Sequence, residues 1–394
     1  MLDRGGFDSV SPVIAPSNPG LMMVPGRSGV WRKNLSATDK GWHPAVHGLA
    51  VTTSWMPLVS NQDPDNVIFA DVDWTILRST DGMETQPMEP TRPQAAVGWN
   101  LAQSFAGKVV ICLGNRDNNT NGGLWRSDNP WATTAGGWVD ELGTGTGRPW
   151  TSSGNTPQVK GAAIGANAGG TQVILAAVRA AAPNATAAAT GLWRKVGAGG
   201  AGAWSKIGLP GYPAAFATEN KQLRPHFAWK PDGGATVWMN DPSSGLWQSR
   251  DYGATWARHP VPGQVADELL TWTNIYSAHI VADPTRAGVY YALTQGNRAW
   301  KITSGDGATP TIARMAAGTA TPAGIAVHPT TGNIYLAETG TGRLHRSTDG
   351  GTTWVDITTS SWSAMCAIVK GLAIGTNGKL YCAMYSGYAI TEVE

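Results

Sequence analysis

Carboxylates, amides and aromatic rings recur together in the polar stretches of this chain, a combination suited to chemistry on sugars. Asp71-Val72-Asp73-Trp74 sets two carboxylates beside a ring, and Asn115 to Gly122 carries Arg116 and Asp117. Gly143 to Gln158 carries Arg148 and Trp150, and Leu209 to Arg224 carries Tyr212 and Glu219. Pro260 to Ala278 holds Asp267, Glu268, Trp272, Asn274 and Tyr276, and Ser360 to Ala364 holds Trp362. A ring covers the apolar face of a pyranose while amides, guanidinium groups and carboxylates bond its hydroxyls. Trp74, Arg116, Asp117, Trp150, Trp272, Tyr276 and Trp362 are therefore the ligand-binding candidates. Glycoside hydrolysis needs, in addition, two carboxyl groups at a defined separation across the sugar. Asp73 with Asp267 or Glu268 is the pair a hydrolase would draw on, with Asp71, Asp117, Glu141, Glu219, Asp241 and Glu338 as further carboxylates that spacing alone does not pair. The competing reading of any one stretch is a solvated loop with a Trp tucked beneath it.

Other chemistries lack their residues. The seven His are scattered and no Gly-x-Ser-x-Gly elbow occurs. Neither a phosphate loop nor a dinucleotide fingerprint appears between a strand and a helix. Cys112, Cys366 and Cys382 cannot form a closed disulfide set and have no metal-site spacing, so buried free thiols are expected. Charged residues make up 14% of the 394 and the formal net charge is +2, which supplies no basic stripe for nucleic acid. No run approaches the roughly twenty apolar residues of a membrane span. Met1-Leu2-Asp3-Arg4-Gly5-Gly6 lacks the pattern of a signal peptide. The expectation is no cofactor, no metal, no nucleic-acid partner and no membrane insertion.

The elements that must position the polar stretches repeat about every fifty residues, a period of propellers and solenoids. Each unit reads as a short apolar strand, a second strand rich in Val, Ile and Tyr, and a third of the type Gly-x-Trp-Arg-Ser. Trp31, Trp125, Trp193, Trp247 and Trp300 share the third-strand slot, with Leu77, His345 and Ile390 as its other occupants. A bulky apolar group there would pack between units, which absorbs most of the 19 Trp. The third strand leads into a turn, sharpest at Ser347-Thr348-Asp349-Gly350-Gly351-Thr352-Thr353-Trp354 and Ser249-Arg250-Asp251-Tyr252-Gly253-Ala254-Thr255-Trp256, with a copy at Ser79-Thr80-Asp81-Gly82 that loses its Trp. Ser and Asp side chains there bond nearby backbone N–H groups, and Gly accepts the positive φ. The pattern predicts one all-β domain over 1–394, a closed propeller of about eight four-stranded blades. Its last blade would borrow a strand from Gly6-Phe7-Asp8-Ser9-Val10, closing the ring with N- and C-terminal strands. Seven blades result if the terminal units share a blade or one packs outside the ring.

Ser-x-Asp-x-Gly-x-Thr-Trp resembles the Asp-box (BNR) repeat of sialidase-type and xyloglucanase-type β-propellers. That resemblance implies that Ser79, Asp81, Ser249, Asp251, Trp256, Ser347, Asp349 and Trp354 are structural, on the face opposite the active site. Sialidases carry an Arg-Ile-Pro motif, which is missing here. Xyloglucanase-type propellers are similar in the first unit, but their catalytic Asp position falls on or next to Arg27, within Pro25 to Arg32. Those enzymes also work in a cleft between two propellers, and this chain has room for one.

The resulting expectation is a non-catalytic surface-recognition propeller. Asp-box propellers mostly meet extracellular glycans, and a bacteriophage tail or receptor-binding protein reaches them without an export signal because virions assemble in the cytoplasm. Its partners would be host-surface carbohydrate and other virion or tail proteins, and its location the virion or an extracellular surface. The alternatives are a glycoside hydrolase acting on a polysaccharide and an assembly propeller that docks other subunits.

Overall fold

The computed structural model describes residues 13–15, 18–26, 29–34, 43–44, 54–71, 75–84, 97–114, 123–131, 137–142, 158–179, 190–210, 225–242, 244–262, 279–294, 298–316, 322–359, 362, 369–384 and 387–393. They form eight antiparallel sheets in chain order. The first holds β1 (Val13–Ala15), β2 (Asn18–Gly26), β3 (Gly29–Asn34) and β4 (His43–Pro44). The remaining seven are the blades of the ring. Blade 1 is β5 (Ser54–Val59), β6 (Val67–Asp71) and β7 (Thr75–Ser79), and blade 2 is β8 (Val97–Gln103), β9 (Val109–Gly114), β10 (Gly123–Ser127) and β11 (Trp138–Asp140). Blade 3 is β12 (Gln158–Ala166), β13 (Gln172–Arg179), β14 (Gly191–Val196) and β15 (Ala203–Ile207). Blade 4 is β16 (His226–Trp229), β17 (Val237–Asp241), β18 (Gly245–Ser249) and β19 (Ala257–His259). Blade 5 is β20 (Ile280–Ala282), β21 (Tyr290–Thr294), β22 (Arg298–Thr303) and β23 (Thr311–Arg314). Blade 6 is β24 (Pro322–Val327), β25 (Ile334–Glu338), β26 (Leu344–Ser347) and β27 (Val355–Asp356). Blade 7 is β28 (Val369–Ile374), β29 (Lys379–Met384) and β30 (Gly387–Glu392).

The first strand of each blade packs on the first strands of its neighbours, and β28 packs on β5, so the ring closes with seven blades. Phe69 meets Tyr381 edge-on with centroids 6.4 Å apart. Lys379 Nζ pairs with Glu84 at 2.6 Å, and Asn377 Nδ2 donates to Asp65 at 3.0 Å, across the same junction. Seven is the smaller of the two numbers the repeat allows. The unit at residues 13–44 forms its own sheet and takes no part in closure, and Gly6 to Val10 lies outside the described residues.

Burial explains the strand sequences. Second strands such as β17, β21 and β25 are buried at every position, because a blade on each side covers both faces. They therefore read as continuous apolar runs rather than as alternating ones. Outer strands such as β19 and β27 are largely exposed and polar. The third-strand Trp packs toward the preceding blade. Trp193 sits with Cys112 and Leu124, Trp247 with Leu175 and Leu192, and Trp300 with Ala228 and Trp238. In blade 7 the pairing Cys382↔Ala389 corresponds to Leu336↔His345 in blade 6, so that slot belongs to Ala389, one residue before Ile390. Cys112 and Cys382 are buried, as expected, and Cys366 lies outside the described residues. Among the described residues no helix is long and apolar enough to cross a membrane.

Candidate functional site

The antiparallel order within each blade sorts the connections onto two faces. Links between first and second strands, and between third and fourth, fall on one face. Links between second and third strands, and from blade to blade, fall on the other.

The first of these is a turn face built to one plan. Ser249 Oγ donates to Asp251 Oδ1 at 2.8 Å and accepts from the Gly253 N–H at 2.8 Å. Asp251 also takes the Ala254 and Thr255 N–H groups at 3.0 and 2.8 Å and the Thr255 hydroxyl at 2.6 Å. Ser347 and Asp349 repeat this geometry with Gly351, Thr352 and Thr353, and Ser79 repeats part of it with Asp81 and Met83. Trp256 and Trp354 each donate their indole N–H to the carbonyl of the turn glycine. At Gly253 φ is +81° and a Cβ would stand 2.5 Å from Leu175 Cδ2; at Gly351 φ is +90° and a Cβ would stand 2.6 Å from Met315 Sδ. Burial pushes the Asp251 carboxyl up, but hydrogen bonds from Thr255, Ser249 and Ala254 outweigh it and hold the group below the ordinary carboxylate range. The Thr353 hydroxyl and N–H hold Asp349 well below that range. These carboxylates are saturated by their own turns, which is a fastening geometry.

The residue after the third-strand Trp has a role that the sequence reading missed. It reaches into the turn of the next blade. Arg78 donates to Pro130 O at 2.8 Å, Arg194 to Tyr252 O at 3.0 Å, Gln248 to Gly305 O at 2.5 Å and Lys301 to Gly350 O at 2.8 Å. Blade 2 relays the same link through Glu141, which accepts from Arg126 at 2.5 Å, from Lys195 of blade 3 at 2.6 Å and from the Gly199 N–H at 3.4 Å. Recurrence of Arg after Trp was the available signal.

The second face is the candidate functional face. The strands flanking residues 72–74, 115–122, 143–157 and 263–278 open onto it. Trp74, Arg116, Asp117, Trp150, Trp272 and Tyr276 lie in these connections, as do Asp73, Asp267 and Glu268, and all of them are outside the described residues. Arg27 is outside them as well. Trp362 is described, and it corrects the list of stacking rings. It is 1% exposed within the core between blades 6 and 7, with Leu344, Leu372 and Ala389. A ring so enclosed offers no face to a sugar.

The described part of this face is the mouth of the central channel, built from the starts of the first strands. β-bulges fall there in five blades, between Ser54 and Met56, Gly98 and Asn100, Val159 and Gly161, Pro322 and Gly324, and Val369 and Gly371. A bulge sets one extra residue on the strand and re-aims its side chain. Two of the extra residues are Lys160 and Lys370, only 1% and 2% exposed. Blades 4 and 5 bring His226 and His279 together, ring centroids 4.4 Å apart. His279 Nε2 lies 2.7 Å from Lys370 O, and Asn240 Nδ2 donates to the carbonyls of His279 and Leu293 at 3.0 and 2.6 Å. These lysine and amide groups and His279 are buried, and the contacts of Asn240 and His279 are with carbonyls of the protein itself.

The described carboxylates among the hydrolase candidates are engaged elsewhere. Glu141 is fully buried in its ion pairs. Burial pushes its carboxyl up, yet the Lys195 and Arg126 contacts outweigh burial and hold it below the ordinary range. Glu338 accepts from the Thr341 hydroxyl and lies 3.5 Å from His345 Nε2, and Asp241 is completely buried. Among the described residues no group of three His, Cys, Asp or Glu could hold a metal ion.

No protein-family model and no curated protein sequence matches the chain. Solved structures do. The GH74 xyloglucanase from Xanthomonas campestris aligns with a TM-score of 0.64 and 18% identity, over 97% of this chain and 50% of that one. The GH74 enzyme of Niastella koreensis gives 0.64 and 15%, over 96% and 49%. A catalytically inactive virginiamycin B lyase from Staphylococcus aureus with quinupristin gives 0.53 and 13%, over 86% and 94%. The chain therefore spans about half the length of the two GH74 structures. At these identities the likeness establishes the β-propeller fold.

Proposed function

We propose that the chain is a carbohydrate-recognition propeller that binds host-surface glycan through the face opposite its Ser/Asp turns, as a virion or tail component of a phage. The observation that carries this reading is the segregation of the two faces. One is consumed by short turns whose carboxylates are saturated, whereas the strands that flank the long, aromatic-rich connections open onto the other. Rigid strands that present irregular polar connections are a common basis for recognition. Stacking rings with flanking amides and Arg116 suit a pyranose.

The test is a glycan array followed by titration of the best binder. Trp150→Ala, Trp272→Ala and Tyr276→Ala should each weaken binding by about tenfold or more, the cost of truncating an anchoring aromatic. On this reading unfolding stability should stay within about 0.5 kcal/mol, the range of substitutions that disturb no core packing. Undiminished binding by the triple variant would sink the proposal. A hydrolase reading has one observation in its favour, the likeness to GH74 structures along nearly the whole chain. It requires reducing ends to appear from a bound polysaccharide and to vanish in Asp267→Asn or Glu268→Gln.

A further inference from the structure

Two of the turns that join first to second strands are fastened by an asparagine in the same way. In blade 3, Asn167 Oδ1 accepts the Gly169 N–H at 3.1 Å and the Thr171 N–H at 3.0 Å. In blade 7, Asn377 Oδ1 accepts the Lys379 N–H at 3.1 Å. Such a turn folds the side-chain amide back over the peptide bond that follows it. The next residue differs. Ala168 follows Asn167, whereas Gly378, at φ +75°, follows Asn377. A Cβ shields the backbone nitrogen beside it, and glycine leaves that nitrogen open. Asn377 is exposed to water, and its Nδ2 donates to Asp65 Oδ1 of blade 1 at 3.0 Å, next to the Lys379–Glu84 pair. The amide therefore belongs to the seam that closes the ring. The sequence holds one other Asn-Gly pair, Asn121-Gly122, which is outside the described residues.

We propose that Asn377-Gly378 is a site of spontaneous deamidation, and that its product loosens the ring where blades 7 and 1 meet. The Gly378 backbone nitrogen attacks Asn377 Cγ and forms the new C–N bond of a cyclic imide. The Cγ–Nδ2 bond breaks, and Nδ2 leaves as ammonia with a proton that balances the one lost by the Gly378 nitrogen. Water then adds to either carbonyl of the imide and opens it to an aspartyl or an isoaspartyl residue, with one new carboxylate and no change of oxidation state. Negative charge that develops on Oδ1 during the attack meets the Lys379 N–H already bonded to it, an arrangement that stabilises an oxyanion. The Gly378 N–H donates to Gly375 O at 3.2 Å, so the attack follows local opening of this surface turn. The product reverses the contact at the seam. Nδ2, a donor to Asp65, gives way to a carboxylate oxygen, which only accepts. Asp65, Glu84 and Glu392 already act on Lys379, so the new charge enters an acidic neighbourhood.

The test is a peptide map of the full chain after storage in mildly alkaline buffer. The peptide that contains Asn377 should gain one mass unit and separate into aspartyl and isoaspartyl forms, while the peptide that contains Asn167 stays unchanged. An intact Asn377, or conversion of Asn167 at the same rate, would overturn the proposal. The consequence for the seam is read separately with variants that do not wait for the reaction. Asn377→Asp should unfold at a lower urea concentration than Asn377→Ser, which loses the bond to Asp65 without gaining a charge. With Asp65→Asn also present, that difference between the two variants should disappear, as expected for a coupling between neighbours. Equal midpoints while Asp65 is in place, or a difference that survives Asp65→Asn, would overturn the loosening of the seam.

Discussion

The junction of blades 2 and 3 and the junction of blades 6 and 7 occupy equivalent places in the ring and are built in opposite ways. The first is filled by charge. Glu141 is held by Arg126 from one blade and Lys195 from the other, with side chains 0–6% exposed, and the Trp204 indole donates to Glu141 O at 3.2 Å. The second is filled by bulk that arrives from outside the repeat. Ala389 leaves the third-strand slot small, and Trp362 enters from the connection to fill part of it. One junction satisfies every group of its central carboxylate and the other leaves the Trp362 indole N–H unpaired. The repeat thus fixes where blades meet, while each junction finds its own filling.

The largest effect should come from Glu141→Gln, because it breaks the charged junction without changing its volume. Lys195 would stay buried without the Glu141 carboxylate, while Arg126 keeps Asp128, and breaking a buried pair in this way typically costs about 3–5 kcal/mol. Urea unfolding followed by tryptophan fluorescence reads this directly, and a loss below about 1 kcal/mol would show that the ion pairs are not needed. A smaller effect is expected from acid. The carboxyls of Glu141, Asp251 and Asp349 all lie below their ordinary values in the folded chain. A depressed folded value means that the unfolded chain takes up protons first as pH falls. Their contribution is therefore complete above the unfolded value of about 4 and is lost progressively below it. The thermal midpoint should be level near neutrality and fall below about pH 4, less steeply in Asp251→Asn than in the parent. A fall that begins near pH 6 instead would point to histidine.

Much of the fold was legible because the repeat is carried by side chains with strong preferences. Gly before the third strand, Trp within it and Ser-x-Asp after it each mark a position by residue type. The blade-to-blade clasps were not legible for the converse reason. Arg78, Arg194 and Lys301 donate to backbone carbonyls about fifty residues onward, and a carbonyl carries no residue signature. Blade number was ambiguous because Trp31-Arg32 belongs to a sheet of the same local pattern that takes no part in closing the ring. Membership depends on which edges meet, as Phe69 and Tyr381 do. The candidate face was readable as composition in the connections, whereas the paired histidines and bulged lysines of the channel mouth were not, since blades far apart in sequence contribute them. Trp362 illustrates the limit of composition: a lone Trp in a short polar connection looks like a stacking ring until the one-residue register of Ala389 shows the space it must fill.

The smallest expected effect sharpens the comparison most. Trp362→Phe removes the unpaired N–H while keeping an aromatic ring in the apolar junction. A buried donor without a partner carries a desolvation cost of roughly 1–3 kcal/mol, which this change relieves, while the smaller ring gives up some contact area. The two terms nearly cancel, so stability should change by no more than about 1 kcal/mol in either direction. Trp247→Phe in blade 4 offers no such compensation, because its N–H donates to Ser244 Oγ at 2.8 Å in a fully buried site. It should cost clearly more than Trp362→Phe. Equal losses in urea titrations would mean that the Trp362 indole does have a partner in solution, and the junction of blades 6 and 7 would then be as fully satisfied as that of blades 2 and 3.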